Sequence, residues 1–476
     1  MIDRPQRSLP LLTEGPILRG LFRLAWPIML SNFAQTLYNL IDAIWLGRLG
    51  KEALAAPTLA WPIIFLVISI GAGLGIAGTA LVAQYTGAKA QQEAEHAAGQ
   101  TFLFLLSVGA LLGLGGFFAT GSILHLLGPE LSVFRLSQGY MQIIFASLPA
   151  MFLFFSFTAL LQGWGDTMTP MKLSFVSVGL NMLLDPLLIF GLGPFPRWGV
   201  AGAATATALS RGLLAFYGTY LLFSGRVGIK LRPRDLLPDW STLARLVRIG
   251  LPASVGQSGT ALGFSVLMGI VARFGTATIG AFGVGNRVIG LAMMPAIGLG
   301  QATTTMVGQN LGSDRPQRAE GTAWAGLGLI FAILLAAGLL AFALRREFVR
   351  AFIDDPSVIA RGAELFQIVA LSLPFVGTLQ VIIGAYQGAG KTLYSMLFSL
   401  FRLWVLRIPL AYLLGGVMGW GSRGVWWAMS LSNLGAALLA FLFFLTGNWK
   451  GKVIARPAVA PPGPAVPQAI DPGKEA

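Results

Sequence analysis

The sequence predicts an all-α polytopic membrane protein with twelve transmembrane helices in two pseudo-symmetric six-helix lobes. Three observations carry that expectation. Of 476 residues, 55% are hydrophobic and 11% are charged, against about 25% charged residues in a soluble domain. The apolar residues gather in a dozen windows of about 20 residues or more, the length a helix needs to cross about 30 Å of hydrocarbon. The second half of the chain also repeats the first at one constant offset.

The first window, 20–46, follows the polar and basic MIDRPQRSLPLLTEGPILRG. It is too long for the apolar core of a signal peptide and no convincing cleavage site accompanies it, so it reads as a retained helix. The second, 53–80, contains GAGLGIAG at 71–78, a weak helix in water, but in lipid small residues let helices approach closely. Windows 98–121, 134–162, 171–192 and 199–223 complete the first half. Six more follow at 244–271, 278–304, 321–344, 361–388, 395–416 and 421–446. The expected organisation is a cytoplasmic segment 1–19, a lobe 20–224, a basic linker 225–243, a lobe 244–450 and a tail 451–476. That tail holds six prolines and no spanning pattern, which is the composition of a disordered segment.

A net charge of +14 raises the prospect of a nucleic-acid partner, but its distribution argues for a membrane and no nucleic acid. Lys and Arg are in excess in the connections on the same side as the two termini, including the linker GRVGIKLRPRDLLPDWST. The positive-inside rule then places both termini in the cytoplasm. The outlier is ALRREFVRAFIDDPSVIARG, an arginine-rich connection on the other side. The chain has no cysteine, so neither disulfides nor thiolate chemistry enter.

The repeat has an offset of 225: Pro27 answers Pro252, Gly50 answers Gly275, VAQYTGAKAQQEAE from Val82 answers VGQNLGSDRPQRAE from Val307, and LQGWGDT ending at Thr167 answers YQGAGKT ending at Thr392. Six crossings return the chain to its starting side, so the halves share an orientation and relate by a pseudo-twofold axis along the membrane normal, with a cleft between them. Pro27 and Pro252 each remove a backbone hydrogen bond and predict a bend, tolerated in lipid where the freed carbonyl finds a partner. Pro27 is a candidate gating position as well as a packing one.

Of 19 acidic residues only Asp42 and Asp185 fall well inside the windows, and the positions 225 further on are Leu267 and Leu410. A charge in the bilayer is expensive and ordinarily faces the protein interior, where it carries ions, protons or substrate. YNLID sets Tyr38 and Asn39 one turn before Asp42, and NMLLD sets Asn181 one turn before Asp185, on shared helix faces. Such oxygens can hold a sodium ion, with Asp42, Asn181, Asp185 and Thr207 as candidate ligands, or share and release protons. A purely structural, hydrogen-bonded pair is the alternative. Thr205 and Thr207 are two apart, so at most one faces the same site.

Other motifs carry less. GAGKT at 388–392 lacks the glycine a phosphate loop needs, since position 385 is Ala385. His96 and His125 have no carboxylates at metal-ligand spacing, and no catalytic motif appears, so no enzyme and no cofactor are expected. Arg211, Arg287, Arg402 and Arg407 lie in or near spans, either as substrate and gate residues or snorkelling to the interface.

Trp26-Pro27, VAQYTGA, LQGWGDTMTP and NMLLDPLLIFG together resemble the multidrug and toxic compound extrusion (MATE) family, its prokaryotic DinF-like branch most, over nearly all of 20–450. The resemblance implies a bacterial or archaeal cytoplasmic membrane protein that expels amphipathic organic cations in exchange for H+ or Na+, working as a monomer among membrane lipids. It also implies an ion-coupling site in the first lobe at Asp42, Asn181, Asp185 and Thr207, with Tyr38 beside it. Two other readings stay open: a carrier of lipid-linked or lipid-like amphiphiles, for which Arg287, Arg402 and Arg407 supply a basic cleft, and a membrane receptor or scaffold that transports nothing.

Overall fold

The structure is a computed structural model describing residues 12–454; residues 1–11, and 455–476 of the segment expected to be disordered, lie outside the described residues. Twelve long helices follow one another: α1 Ile17–Leu49, α2 Lys51–Gly87, α3 Gln91–Leu127, α4 Leu131–Trp164, α5 Met168–Phe190, α6 Val200–Ser224, α7 Trp240–Ala272, α8 Thr276–Gly312, α9 Pro316–Ala343, α10 Pro356–Gly388, α11 Thr392–Val417 and α12 Ser422–Leu445. A short helix Arg345–Arg350 joins α9 to α10, and no strand occurs among the described residues.

At 37 residues each, α2, α3 and α8 reach about 55 Å at about 1.5 Å per residue, well beyond about 30 Å of hydrocarbon. Ten of the helices are long and apolar enough to cross a membrane on composition alone. The other two, α1 and α6, are diluted by Asn32, Gln35, Asn39 and Asp42 and by Thr205, Thr207, Ser210 and Arg211. Those polar residues recur below.

The sequence offset is also the structural one: α2 and α8 begin 225 residues apart, as do α3 and α9, and α4 and α10. The lobes exchange helix halves. The first turns of α1 put Leu21, Leu24 and Ala25 into a core with Leu299, Met306 and Ile382 of the second lobe. In return α7 puts Leu246 and Ile249 against Ala77 and Leu81 of the first.

The two lobes close on each other at the end that carries the chain termini. There Gln84 donates to the Gly388 carbonyl at 2.9 Å, and its repeat mate Gln309 donates to Gly163 at 3.0 Å. A Cβ on Gly87 would overlap the Gln309 carbonyl, and one on Gly312 the Gln84 carbonyl; glycine is required for this approach. From Ala296 to Gly312 α8 is buried at nearly every position, whereas its first half exposes Thr276, Ile279, Arg287 and Leu291. The contact between the lobes is therefore tightest at the end that carries the termini.

Next to the carbonyls that the prolines free, those of Arg23 and Arg248, each helix gains a side-chain donor: the Leu24 carbonyl accepts from Thr167 at 3.1 Å, and the Ile249 carbonyl from Thr392 at 2.5 Å. The final threonines of LQGWGDT and YQGAGKT thus lie against the two proline turns.

The linker is tied down at the same end. Gln100 donates to the carbonyls of Asp235 and Leu237 at 2.8 and 2.7 Å and accepts from the Asp239 amide at 2.9 Å. Asp239 caps α7, accepting from the Ser241 amide at 3.0 Å and the Thr242 hydroxyl at 2.6 Å, with His96 at 3.2 Å. Hydrogen bonds, the Thr242 hydroxyl first, hold its carboxyl below the usual range. Such a cap contributes about 1 kcal/mol, present above the unfolded pKa of about 4 and lost as pH falls through the lower folded value. Asp239→Ala is expected to lower the thermal midpoint at pH 7, with the difference from the native protein shrinking in acid.

Both chain ends also cross between lobes. Before α1, the Leu12 carbonyl accepts from Asn310 and the Thr13 carbonyl from Arg315. After α12, the Val453 amide donates to Gln84 at 2.9 Å and Ile454 is buried beside Ala77 and Leu81 of the first lobe, while Lys452 pairs with Asp314 of its own lobe at 2.7 Å. The first residues of the 451–476 segment are thus packed against the first lobe.

Candidate ion-coupling site

In the first lobe α1 packs on α5, and α5 on α6. Helical spacing stacks Tyr38 over Asp42, Asn181 over Asp185, and Thr207 over Ser210 and Arg211. All three groups meet. Asn181 donates to Asp185 at 3.1 Å, and both residues are 0% exposed. The Asp42 carboxylate has Asp185, Asn181, Thr207 and Arg211 as polar neighbours. Tyr38 shares a hydrogen bond with Ser210 at 3.1 Å. Arg211 lies over the Tyr38 ring, 4.8 Å from its centroid, and donates to Gln35 at 3.2 Å.

Asp42 turns inward: its Oδ1 is buried. Of the two threonines, Thr205 returns its hydroxyl to the Ala201 carbonyl at 2.8 Å, while Thr207 is beside Tyr38 and Asp42. Pro27 is on α1 but a good distance along it, at the closed end, so the structure does not bring it into this cluster.

Three residues near the cluster were not among the site residues read from the sequence. Ser210 and Arg211 carry a signal, since they fall three and four residues after Thr207 on one helix face. Tyr140 of α4, close to Asp42, Asp185 and Tyr38, carries none; only packing brings α4 there.

The electrostatics define what the cluster lacks. Asp42 Oδ1, Asn181 Oδ1 and Asp185 Oδ2 are buried and accept no hydrogen bond, an expensive state for acceptors away from water. With both carboxylates ionised and Arg211 positive, the net charge is one negative. One monovalent cation neutralises it. The donors are hard oxygens from carboxylate, amide and hydroxyl groups, suited to a proton on a carboxylate or to an alkali cation among several oxygens. Among the described residues no group of three or more His, Cys, Asp or Glu forms a metal cluster. In the second lobe the equivalent positions are apolar packing: Leu267 is buried in a core against which Leu410 lies.

Comparison with known proteins agrees with this architecture. The MatE family model matches residues 27–187 and 252–413, one match per lobe. The probable multidrug resistance protein YpnP of Bacillus subtilis is 30% identical over 441 residues, covering 92% of this chain and 97% of its own. YoeA of the same organism, also named a probable multidrug resistance protein, is 29% identical over 439 residues, covering 90% and 94%. A solved multidrug resistance MATE family transporter of the MOP superfamily, described as outward-facing, superposes with a TM-score of 0.87 at 26% identity, covering 93% of this chain and 98% of its own. The chain belongs to the MatE family of membrane transporters.

Proposed function

We propose that this protein is a secondary active antiporter that exports amphipathic organic cations across a bacterial or archaeal cytoplasmic membrane in exchange for protons or sodium. The observation that carries this reading is the set of three buried, donorless oxygens on Asp42, Asn181 and Asp185 beside one fixed guanidinium. A cluster one charge short of neutral takes up one monovalent cation per cycle.

α1 transmits the change. Its far half bears Tyr38 and Asp42 of the cluster, and its near half packs on α8, where the Ala25 carbonyl and Met29 meet Gly298. Charging or neutralising Asp42 alters how α1 sits on α5 and, through the break at Pro27, how its near half sits on the opposite lobe. With both termini cytoplasmic, the closed end faces the cytoplasm and the cleft faces outward, the state in which an external ion enters and substrate leaves. A coupling of about 1.4 kcal/mol changes substrate affinity tenfold, within reach of one neutralised charge. The chain works as a monomer, since both lobes and the cleft between them come from one polypeptide.

The test is efflux of a cationic dye from proteoliposomes under separately imposed proton and sodium gradients. Flux is expected under one of the two and at background without either. Dye movement that ignores both gradients overturns the antiport reading.

A further inference from the structure

The second lobe carries the opposite charge. On α11, Arg402 and Arg407 are five residues apart, which on a regular α-helix turns side chains about 140° from each other. The turns Phe401–Arg407 and Ala411–Val417 are instead π-helical, a wider coil whose hydrogen bonds link residues five apart and which is frequent at functional sites. On a π-helical turn a five-residue spacing returns side chains to nearly the same face, and Arg407 lies within the field of Arg402.

Among the described residues neither has a counter-charge. Arg407 is 6% exposed and donates to Ser432 at 3.0 Å and to Asn433, both neutral. Asn433 in turn donates to Ser372 at 2.9 Å, in the tight turn Ala370–Ser372 that interrupts α10. The Nε of Arg402 is buried with no acceptor. Among the described residues no Asp or Glu pairs with either arginine, and the one acid on α10, Glu364, is engaged by Arg423. One buried positive charge held only by neutral dipoles, beside a partly buried one whose Nε has no acceptor, is costly unless an anion joins them.

Pseudo-symmetry sharpens the point. Ser432 stands where the first lobe has Thr207, and Leu410 where it has Asp185, while Arg402 and Arg407 replace Ser177 and Met182. Equivalent regions of the two lobes thus bear opposite charges.

We propose that Arg402 and Arg407, with Ser432 and Asn433, form a binding site in the second lobe for the phosphate or carboxylate group of an amphipathic molecule. Guanidinium forks match the geometry of these anions. Trp404, Val405 and Tyr412, exposed on the same helix, offer apolar surface to the rest of such a molecule. The proposal deepens the transport reading by giving the carrier an anion-accepting lobe opposite its cation-accepting one, and it rests on that reading only for its place in transport.

The experiment is equilibrium dialysis of labelled dodecyl phosphate against the purified full-length protein in uncharged micelles, with dodecyltrimethylammonium as the oppositely charged probe. The native protein is expected to bind the phosphate at least tenfold more tightly than Arg402→Gln or Arg407→Gln, and Arg402→Lys to recover part of the loss. Arg402 Nε has no acceptor among the described residues, so Arg402→Gln is expected to fold with an undiminished thermal midpoint, which keeps the test sound if Arg407→Gln fails to fold. Equal affinity in native protein and Arg402→Gln overturns the site, as does an ammonium probe that competes as well as the phosphate. Displacement by inorganic phosphate supports the site with a soluble phosphate as its source; displacement only by phosphatidylglycerol supports it with a lipid headgroup. No gradient is applied, so binding survives in Asp185→Asn even if coupled efflux is lost there.

Discussion

Asp185→Asn is expected to fold, to bind a cationic dye and to lose gradient-driven efflux to background. The asparagine is nearly isosteric and its carbonyl oxygen can still accept from Asn181, so the 3.1 Å contact survives. What changes is the charge count. With Asp42 negative and Arg211 positive the cluster is already neutral, and no cation is needed to complete it. Asp42→Asn reaches the same balance from the other helix and is expected to give the same loss. The informative variant is Asp42→Asn combined with Arg211→Met, which restores a net charge of one negative at Asp185. Sodium uptake or proton uptake by the purified protein, measured by isotope binding or by pH change in weak buffer, is expected to return in the double variant though absent in Asp42→Asn. Asn181→Ala acts differently: it leaves a buried carboxylate oxygen without its donor, a cost of about 1–3 kcal/mol, and is expected to weaken ion binding rather than abolish it. Native-like coupled flux in both single acid variants would make the pair structural.

How far this was legible in the sequence depends on the range of the interaction. Twelve spans, two lobes and the offset of 225 were readable because hydropathy and repetition are local properties of the string. Asp42, Asn181 and Asp185 stood out because an acid inside an apolar window has few neutral explanations, and helical spacing supplied their nearest partners. Tyr140 stayed hidden because its proximity depends on how α4 packs. The pairing of Arg402 with Arg407 was also hidden, since five-residue spacing disperses side chains on an α-helix and only the π turns of α11 reverse that. Composition likewise favoured a tail from Gly451 onward, whereas Lys452 finds an ion pair on its own lobe, and Val453 and Ile454 a hydrogen bond and a buried slot on the opposite one. The misses at Tyr140 and the tail concern contacts between segments far apart in sequence, and the one at Arg402 and Arg407 a departure from regular helix geometry.

The second large effect is expected at the closed end, from the smallest possible side chain. Gly87→Ala and Gly312→Ala each add one methyl group, and in this conformation that methyl would overlap a backbone carbonyl of the other lobe, at Gln309 and Gln84 respectively. Neither glycine has a positive φ, so alanine is compatible with its own helix and the variants are expected to insert and fold. The cost falls on the approach of the lobes. A flexible side chain could yield, but a carbonyl inside α2 or α8 moves only with its helix, and overpacking of this kind costs about 1–3 kcal/mol. Both substitutions together shift the balance against the closed end by about 2–6 kcal/mol, tenfold for each 1.4 kcal/mol. Gln92 and Gln317 are repeat mates, exposed and close beyond the ends of α2 and α8, and the chain has no cysteine of its own. Spin labels on Gln92→Cys and Gln317→Cys therefore report the separation of the lobes by electron-electron resonance. The double alanine variant is expected to show a longer distance than the native pair and transport near background, whereas Gly115→Ala, with no atom within 4 Å of the added methyl, is expected to change neither. An unchanged distance in the double variant would mean that α2 and α8 slide apart locally without opening the lobes, and the glycine contact would then not be what closes the gate.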